Sequence, residues 1–415
     1  MIITLRSYLN MTIKERSLLT IIISIILSLI LILSNNFFPS YYTKQKIYTA
    51  PSLFNEIITQ IESEYIDKVD YDILINSAIT GVLTDLDEYS EILNDEDYRQ
   101  VRNSAEGVYS GIGVTLYQNA DHTKIAHVIK NSVAFYAGIE VDDEIIEIDS
   151  ERIATSNLSD ISQQLDGKIG SKVILLVKKL STNKLTQINL VREQISIPSV
   201  YSEMLASSYC YIKLDKFNNQ TKTEITRIIS NNCLPVRISN SSIKGLIVDI
   251  RNNPGGTLES AVDVSDLFLD RGIIVSAKGR NNDLMFIHSA NKTDILEGLP
   301  IAIIVNKYSA SASEIFAGAL QDNNRAIVVG TATYGKGSIQ SVIPLSDGGA
   351  IKLTTARYIR PSGAPINKLG IRPDILVKST NIEKYLSVKK KNDRNNDIQL
   401  SEAINALNRN INYYH

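Results

Sequence analysis

The stretch Ile-Val-Asp-Ile-Arg-Asn-Asn-Pro-Gly-Gly (residues 247–256) decides the fold of this chain. Its apolar run leads directly into a Pro-Gly-Gly turn, and a helix-like segment follows at 258–269. Glycines at such a strand-to-helix turn let backbone N–H groups point into a cavity, as an oxyanion hole requires. A second apolar run at 299–305 repeats the alternation of strand and helix, which predicts an α/β core.

A serine and a lysine follow this turn in the chain. Ser311 lies in Tyr-Ser-Ala-Ser-Ala-Ser-Glu (308–314), and Lys336 follows 25 residues later between two glycines. A lysine activates a serine only as the free base, which is about 1 in 2500 at neutral pH for a pKa of ~10.4. Burial between apolar segments lowers that pKa. Taken alone, the serines also fit a low-complexity turn, and Lys336 a solvated hairpin tip.

A Ser-His-Asp arrangement is the competing catalytic design. The chain has four histidines, which are His122, His127, His288 and His415. The first two lie in a separate module, the last is the terminal residue, and His288 follows an apolar run beside a polar loop. We interpret His288 as structural, so the lysine is the predicted base.

Four motifs in order resemble the carboxy-terminal processing (tail-specific) serine proteases. They occupy residues 249–256, 309–315, 317–322 and 333–340, within a likeness that extends over roughly 51–375. This resemblance implies a crotonase-like α/β protease core. It also implies a serine endopeptidase that cleaves extracytoplasmic proteins or their C-terminal tails through an acyl-enzyme, without a cofactor or a metal.

The resemblance assigns roles to individual residues. Ser311 becomes the nucleophile, Lys336 the general base and Gln340 the residue that orients the lysine. The oxyanion hole would combine the N–H of Ala312 with that of Gly255 or Gly256, and the choice between the two glycines stays open. Arg251 is expected to hold the turn, and Glu314 to be a helix N-terminal charge.

Composition excludes several classes of protein. The 415 residues are 44% hydrophobic and 21% charged, which is typical of a folded protein of two or three domains. The net charge of −2 argues against nucleic-acid binding. Cys210 and Cys233 could pair in an exported protein, but Cys210 lies in a predicted buried strand, so we expect two free thiols. No Cys-His cluster indicates zinc.

The N-terminus carries a localisation signal. Residues 1–17 are predicted to be a cytoplasmic tail, 18–34 a transmembrane signal-anchor and 35–50 a linker. The apolar run of 16 residues at 18–33 is short for a span and close to a signal peptide, but no small-x-small cleavage site follows it. We favour an uncleaved anchor in the bacterial inner membrane, with cleavage as the alternative. Basic residues before the run would place the remainder in the periplasm.

Residues 51–104 show helical periodicity and are interpreted as an N-terminal helical arm. In the family such an arm contributes to dimerisation, so a homodimer is expected. The arm of the family ends in a sequence like Leu-Asp-Pro-His-Ser, whereas this chain reads Leu-Asp-Glu-Tyr-Ser (86–90). We expect this departure to alter a turn and to say little about catalysis.

Residues 105–192 resemble a PDZ domain inserted before the core. The candidate peptide-binding residues form a loop whose N–H groups would receive a chain-terminal carboxylate, and they are Ser110, Gly111, Ile112, Gly113 and Val114. The resemblance implies substrates with apolar C-termini. The usual arginine of a Leu-Arg-Gly segment is Asp166 here, which puts the family's control mechanism in doubt.

The protease core is assigned to 193–380 and a C-terminal helical segment without chemistry to 381–415. A lipoprotein-type or other adaptor is left open as a partner. The alternative to a protease is a membrane-tethered PDZ peptide-binding protein with an inert core. The dyad and Gln340 argue against it, because an inert core has no need of them.

Overall fold

The computed structural model describes residues 12–35, 41–119, 122–153, 157–205, 208–233, 243–291, 294–346, 348–378 and 397–409. The chain divides into two compact units, residues 1–82 and 83–415, and each is described by itself. The basic run at 389–391 lies outside the described residues.

The N-terminal unit is helical. Helix α1 spans Ile13–Asn35, α2 spans Tyr41–Glu64, and α3, Tyr71–Thr84, runs just past the boundary of the unit. Among the described residues, no helix is both long enough and apolar enough to cross a membrane. The anchor over 18–34 therefore stays a prediction.

The second unit alternates strands and helices along the chain. Its helices are α4 (Asp95–Glu106), α5 (Val133–Tyr136), α6 (Leu158–Leu165), α7 (Thr221–Ile228), α8 (Leu258–Asp266), α9 (Ala312–Asp322) and α10 (Ile398–Asn408). The strands up to the core are β1 (Glu91–Leu93), β2 (Val108–Gly111), β3 (Val114–Asn119), β4 (His122–Val128), β5 (Glu144–Ile148), β6 (Glu151–Arg152), β7 (Lys172–Lys178), β8 (Leu185–Val191) and β9 (Glu193–Ser196). The strands of the core are β10 (Val200–Leu205), β11 (Tyr209–Leu214), β12 (Gly245–Asp249), β13 (Ile273–Lys278), β14 (Leu284–Ser289), β15 (Ile301–Val305), β16 (Ala326–Gly330), β17 (Ser338–Pro344), β18 (Ala350–Ile359) and β19 (Ile375–Leu376).

A six-stranded sheet forms the centre of the core, in the order β10-β11-β12-β15-β16-β19. All neighbours from β11 onward are parallel. Strand β12 sends Leu246 and Val248 into one hydrophobic cluster and Ile247 into another, because successive side chains point to opposite faces. Helices α7, α8 and α9 contribute to the first cluster and α10 to the second. The predicted α/β core is confirmed in this sense, and the crotonase-like comparison stays a prediction.

A second, antiparallel sheet in the order β1-β18-β13-β14, with β17 beside β18, carries the segment after Lys336. Its edge strand β1 lies inside the stretch predicted as a helical arm, and Glu91 pairs with Lys352 of β18. The expectation of an entirely helical arm over 51–104 is therefore wrong at 91–93. A three-residue strand is too short to show periodicity, and only its partner identifies it.

The residues predicted as a PDZ domain form a small β structure with its own core. Strands β3-β4-β5-β7-β8 make one sheet, with β6 beside β5, and β2 pairs with β9. The buried residues that fill this core come from the strands, from α5 and α6 and from the connecting loops, and they include Ile112, Ile125, Ile145, Ile161, Val173, Leu175 and Val177. The module is therefore packed independently of the central sheet.

Cys210 and Cys233 form a disulfide, so the expectation of two free thiols is wrong. Cys210 lies on β11 and Cys233 ends the π-turn after α7, with 5.7 Å between their Cα atoms. This distance is within the range that a disulfide bridges. Cys210 is buried, as predicted, but it lies directly beside the turn that carries Cys233.

Candidate active site

The three serines of Ser-Ala-Ser-Ala-Ser have different surroundings. Ser309 is buried and its Oγ donates to the carbonyl of Ile250 at 2.8 Å. Ser313 is buried and its Oγ donates to the carbonyl of Asn253 at 3.0 Å. Ser311, at the start of α9, is only half-buried. Two of the hydroxyls therefore fix the turn, and Ser311 is the serine that is partly accessible to solvent.

Ser311 has a strained backbone. Its φ of 54° and ψ of −114° lie in a region that non-glycine residues rarely adopt. Such a conformation costs about 1–3 kcal/mol and persists only where neighbouring structure imposes it. Placing the serine at the N-terminus of α9 also directs the positive end of the helix dipole toward it. This geometry is typical of a nucleophile at a sharp strand-to-helix turn.

Glu314 connects the serine turn to the lysine loop. Its Oε2 accepts the N–H of Ser311 at 2.8 Å and the N–H of Lys336 at 2.9 Å. Its Oε1 accepts the N–H of Gly335 and the hydroxyl of Thr333, both at 2.6 Å. The two loops thus meet at one carboxylate, which is fully buried. The prediction of a helix N-terminal charge is correct in position but omits this link.

The protonation of Glu314 follows from its partners. Burial raises the pKa of this carboxyl, and the donors around it oppose that shift. Thr333 Oγ1 accepts the N–H of Ile371 at 2.7 Å, so its own proton is available for Glu314. With four donors and no acceptor around it, the ionised form matches the site.

Lys336 is half-buried, and burial is the main reason that its pKa lies below the ordinary value for lysine. The charge of Lys352 lowers the pKa further, while Asp87, Glu88 and Glu91 oppose the shift. Within the part of the chain that the structure describes, its ammonium forms no hydrogen bond or ion pair. A desolvated, unpaired amine is the form of lysine suited to general base catalysis.

Tyr89 covers this lysine. The Lys336 Nζ lies 4.4 Å from the centroid of the Tyr89 ring, a cation–π contact. The predicted turn is present, since Asp87 Oδ1 accepts the N–H groups of Tyr89 and Ser90, both at 2.8 Å. The expectation that this departure says little about catalysis stays a prediction, although Tyr89 contacts Lys336 and the charge of Glu88 opposes the lowering of its pKa.

The two candidate oxyanion glycines differ in their N–H groups. Gly255 is buried and its N–H donates to Asn253 Oδ1 at 2.8 Å. Gly256 is exposed, and among the described residues neither its N–H nor that of Ala312 donates to a protein acceptor. A methyl group on Gly255 would lie 2.9 Å from the Ala312 nitrogen and 3.0 Å from Ser311 Cβ. The turn therefore lies directly against the serine, with a free N–H on Gly256.

Gln340 lies on β17, and its Nε2 donates to Ser338 Oγ at 2.9 Å and to Thr354 Oγ1 at 3.1 Å. No hydrogen bond joins it to Lys336 within the described residues. The structure thus places the predicted orienting residue near the start of β17, held by two neighbouring hydroxyls. Its assigned role stays a prediction.

Arg251 is held by acidic partners, as expected for a structural role. It pairs with Asp249 at 2.6 Å and with Asp397 at 2.7 Å, just before α10. The carboxyl of Asp249 is buried, and the charge of Arg251 keeps its pKa low against the opposing effect of burial. This cluster ties the C-terminal segment to the end of β12.

The predicted carboxylate-binding loop is held in place through its carbonyl groups and a serine side chain. The carbonyls of Ile112 and Gly113 accept the N–H groups of Ala134 and Ile129 at 3.0 and 2.8 Å, and Ser110 Oγ donates to the carbonyl of Gly167. In the described residues, the N–H groups of Ile112 and Gly113 donate to no protein acceptor. Free backbone N–H groups in a loop of this kind bind carboxylates.

Sequence reasoning missed Thr333, Tyr89 and the linking role of Glu314. A signal for Glu314 was available, because Ser-x-x-Glu is the pattern of a capping box, in which the glutamate returns to the N-cap N–H. No local sequence signal indicated the role of Tyr89, since it meets Lys336 only through the pairing of β1 with β18. Long-range contacts of this type are invisible to local patterns.

Comparisons with known proteins cover most of the chain. A family model described as peptidase family S41 matches residues 208–377, and a PDZ domain model matches 124–179. A carboxy-terminal-processing protease of Bartonella bacilliformis is 34% identical over 342 residues, covering 82% of this chain and 78% of the relative. A carboxyl-terminal-processing protease of a Picosynechococcus species is 36% identical over 306 residues, covering 72% of each. A solved structure titled photosystem II D1 C-terminal processing protease is 27% identical, with a TM-score of 0.47, and covers 79% of this chain and 92% of that one.

Proposed function

Since the chain belongs to the carboxy-terminal-processing serine proteases of peptidase family S41, we propose that it hydrolyses peptide bonds through a Ser311–Lys336 dyad. Neutral Lys336 removes the proton of the Ser311 hydroxyl as its oxygen attacks the scissile carbonyl. The resulting ammonium returns that proton to the leaving amine, and an acyl-enzyme remains. Water then attacks the ester with Lys336 again as the base, which releases the acid and restores Ser311.

The oxyanion hole in this proposal consists of the N–H groups of Ala312 and Gly256. Both are without a protein acceptor in the described chain, whereas the N–H of Gly255 is occupied by Asn253. The N-terminus of α9 adds its dipole to the same point. Preorganised donors of this type contribute about 2.7–4 kcal/mol each to the stability of a transition state.

The observation that carries the proposal is the shared acceptor on Glu314. One carboxylate oxygen accepts the N–H of both Ser311 and Lys336. The backbone nitrogens of the proposed nucleophile and base therefore lie within two hydrogen-bond lengths of each other. Residues 25 positions apart in the sequence are thereby fixed in one site. A catalytically inert core would not need a buried carboxylate devoted to this purpose.

Three variants test the dyad. Ser311→Ala and Lys336→Ala should each abolish hydrolysis of a fluorogenic peptide, and Lys336→Arg should do the same, because arginine does not deprotonate. Labelling of Ser311 by a fluorophosphonate should be lost with either lysine variant. Lys278→Ala, which changes an exposed lysine on β13, is the matched control and should retain wild-type turnover. Equal turnover by wild type and Ser311→Ala would refute the proposal.

We also propose that the PDZ domain captures the C-terminus of the substrate. The free N–H groups of Ile112 and Gly113 support this, because they form an anion receptor beside the edge of β3. A substrate protein with an apolar tail should be cleaved with a lower KM than the same protein ending in a carboxamide. Short peptides without the tail should show no such difference.

The substrates are proposed to be extracytoplasmic proteins. The disulfide between Cys210 and Cys233 supports this location, because disulfides persist in oxidising compartments. Alkylation of the unreduced, denatured protein should add no label, and alkylation after reduction should add two. The mass of the mature N-terminus would distinguish an uncleaved anchor from a removed signal peptide.

A further inference from the structure

The carboxylate-binding loop of the PDZ domain is covered by a side chain of the same chain. A methyl group on Gly111 would lie only 2.6 Å from Cε2 of Tyr109, so the ring rests on the loop. The Tyr109 hydroxyl is buried and has no hydrogen-bond partner among the described residues. Burial raises the pKa of Tyr109, and the N–H groups of Gly113 and Val114 lie close enough to oppose that shift. The phenol oxygen thus faces the N–H groups that a peptide carboxylate would use.

Asp166, which directly follows α6, lies against Gly111 of the same loop. A methyl group on Gly111 would be 3.1 Å from its Oδ1, and the residue ends α6 in place of the family's arginine. It is half-buried and forms no ion pair within the described residues. Burial raises the pKa of Asp166 to about 6, the charge of Glu96 raises it as well, and Arg192 opposes them. An unpaired carboxylate therefore lies beside the loop at which a second carboxylate is expected to bind.

The charges around Asp166 do not cancel its own. The ionisable groups that line the two cavities it borders come from every adjoining element, and they are Glu96 and Arg99 of α4, Tyr109 of β2, Asp149 and Glu151 around β6, Tyr201 of β10, and Asp215 and Lys216 after β11. Arg192 is committed elsewhere, because its guanidinium donates to the carbonyls of Gln164 and Leu165 at 2.7 and 3.0 Å. Lys216 donates to Ser104 Oγ.

We propose that Tyr109 and Asp166 control the binding of a peptide C-terminus to this PDZ domain. The C-terminus enters only after the Tyr109 ring has left the loop and Asp166 has taken up a proton from solvent. This inference rests on the proposed capture of the substrate tail. Two carboxylates against one glycine repel each other unless one is protonated. The displaced ring has room in a cavity of about 460 Å³ that both residues border and that extends to Lys216 and Asn218 of the core.

The sign of the pH dependence follows from this coupling. Tail binding takes up a proton, so the affinity is highest below the pKa of Asp166 and falls as the pH rises through it. With a pKa of about 6, protonated Asp166 decreases by roughly 20-fold between pH 5.5 and pH 7.5. The affinity for a free C-terminus should fall by a similar factor.

The test measures binding directly, so that it does not depend on catalysis. The full chain carrying Ser311→Ala is titrated into a fluorescent ten-residue peptide that ends in three apolar residues, with a free carboxylate or a carboxamide, at pH 5.5 and 7.5. Asp166→Asn is added in the same background and should bind the carboxylate peptide tightly at both pH values. Asp160→Asn, an exposed acid on the same helix, is the matched control and should keep the parent's pH dependence.

Tyr109 is tested by two substitutions. Tyr109→Phe removes only the buried hydroxyl, and Tyr109→Ala removes the whole ring; each should tighten binding at pH 7.5, the alanine variant more. Circular dichroism confirms folding, and Tyr109→Phe alone decides the point if the alanine variant does not fold. Affinities that are independent of pH in the parent and unchanged in Asp166→Asn and Tyr109→Phe would overturn the proposal. Equal binding of carboxylate and carboxamide in every variant would refute the capture itself, leaving the Ser311 chemistry intact.

Discussion

Lys336 in the protease core and Asp166 in the PDZ domain are both half-buried, and neither has an ion-pair partner in the described chain. Burial is the main influence on each, and it favours the neutral form of both, lowering the pKa of the lysine and raising that of the acid. In the proposed mechanism, the neutral form of Lys336 is the active base. For Asp166 the neutral form is the one that a peptide carboxylate can approach.

The two regions therefore respond to pH in opposite directions. On the proposed mechanism, cleavage should become faster as the pH rises toward the pKa of Lys336, whereas capture of a tail should become weaker as the pH rises through that of Asp166. The same physical effect, desolvation, would thus promote the proposed chemistry at one site and restrict the proposed recognition at the other. Separating the two sites experimentally requires substrates with and without a tail.

The largest effect is expected from Glu314→Ala. It removes the acceptor for the N–H groups of Ser311, Gly335 and Lys336, so kcat on a tail-free peptide should fall by about 10³-fold or more. Stability should fall by roughly 3 kcal/mol, because buried donors lose their partner. Binding of a tailed peptide should not change, and Glu259→Gln, an exposed acid on α8, serves as the control in urea unfolding and kinetics. Loss of tail binding as well would mean that the two regions are not separate.

A paired glycine experiment comes next. Gly255→Ala places a methyl group 2.7 Å from the Ala310 carbonyl, at a φ of +104° that alanine adopts poorly. We expect kcat to fall by about 10²-fold through distortion of the oxyanion hole, with tail affinity unchanged. Gly111→Ala should instead change tail affinity and leave kcat on a tail-free peptide unchanged, since its methyl group would press on the Tyr109 ring. If both variants altered the same parameter, the comparison would fail.

The ratio of kcat/KM for a tailed substrate to that for a tail-free peptide should depend on pH. It should fall by roughly 20-fold from pH 5.5 to 7.5, because only the tailed substrate requires protonated Asp166. Taking the ratio removes the titration of Lys336, which is common to both substrates. In Asp166→Asn the ratio should be constant, and a ratio that still declines would assign the titration to another group.

The smallest effect concerns Tyr89→Leu. Leucine keeps apolar cover over Lys336 but removes the ring face that stabilises the ammonium at 4.4 Å. The pKa of Lys336 should fall, so the acid limb of kcat for a tail-free peptide should move to lower pH by roughly 0.5–1 unit. Tyr308→Leu removes a similar ring from Lys307 and should leave the limb in place. A shift to higher pH would show that the ring acts mainly by excluding water.

Much of the core could be predicted from local patterns. The buried run at 245–249 and the Pro-Gly-Gly turn predicted a strand that leads into a helix, and β12 and α8 have that arrangement. Apolar strands covered on both faces have a strong sequence signal. Strand β1 and the Cys210–Cys233 disulfide had no such sequence signal, because each depends on a partner distant in sequence.

The sequence alone determined the family, the order of its modules and the candidate nucleophile and base, because those features reside in short motifs with fixed spacing. Only the tertiary structure showed which backbone N–H groups are free and that one oxygen of Glu314 accepts an N–H from each of the two loops. It also showed that Tyr89 lies over Lys336 and that Tyr109 lies over the PDZ loop. The physical reason is that burial and pKa depend on which surfaces meet. Those surfaces come from segments that the sequence does not place side by side.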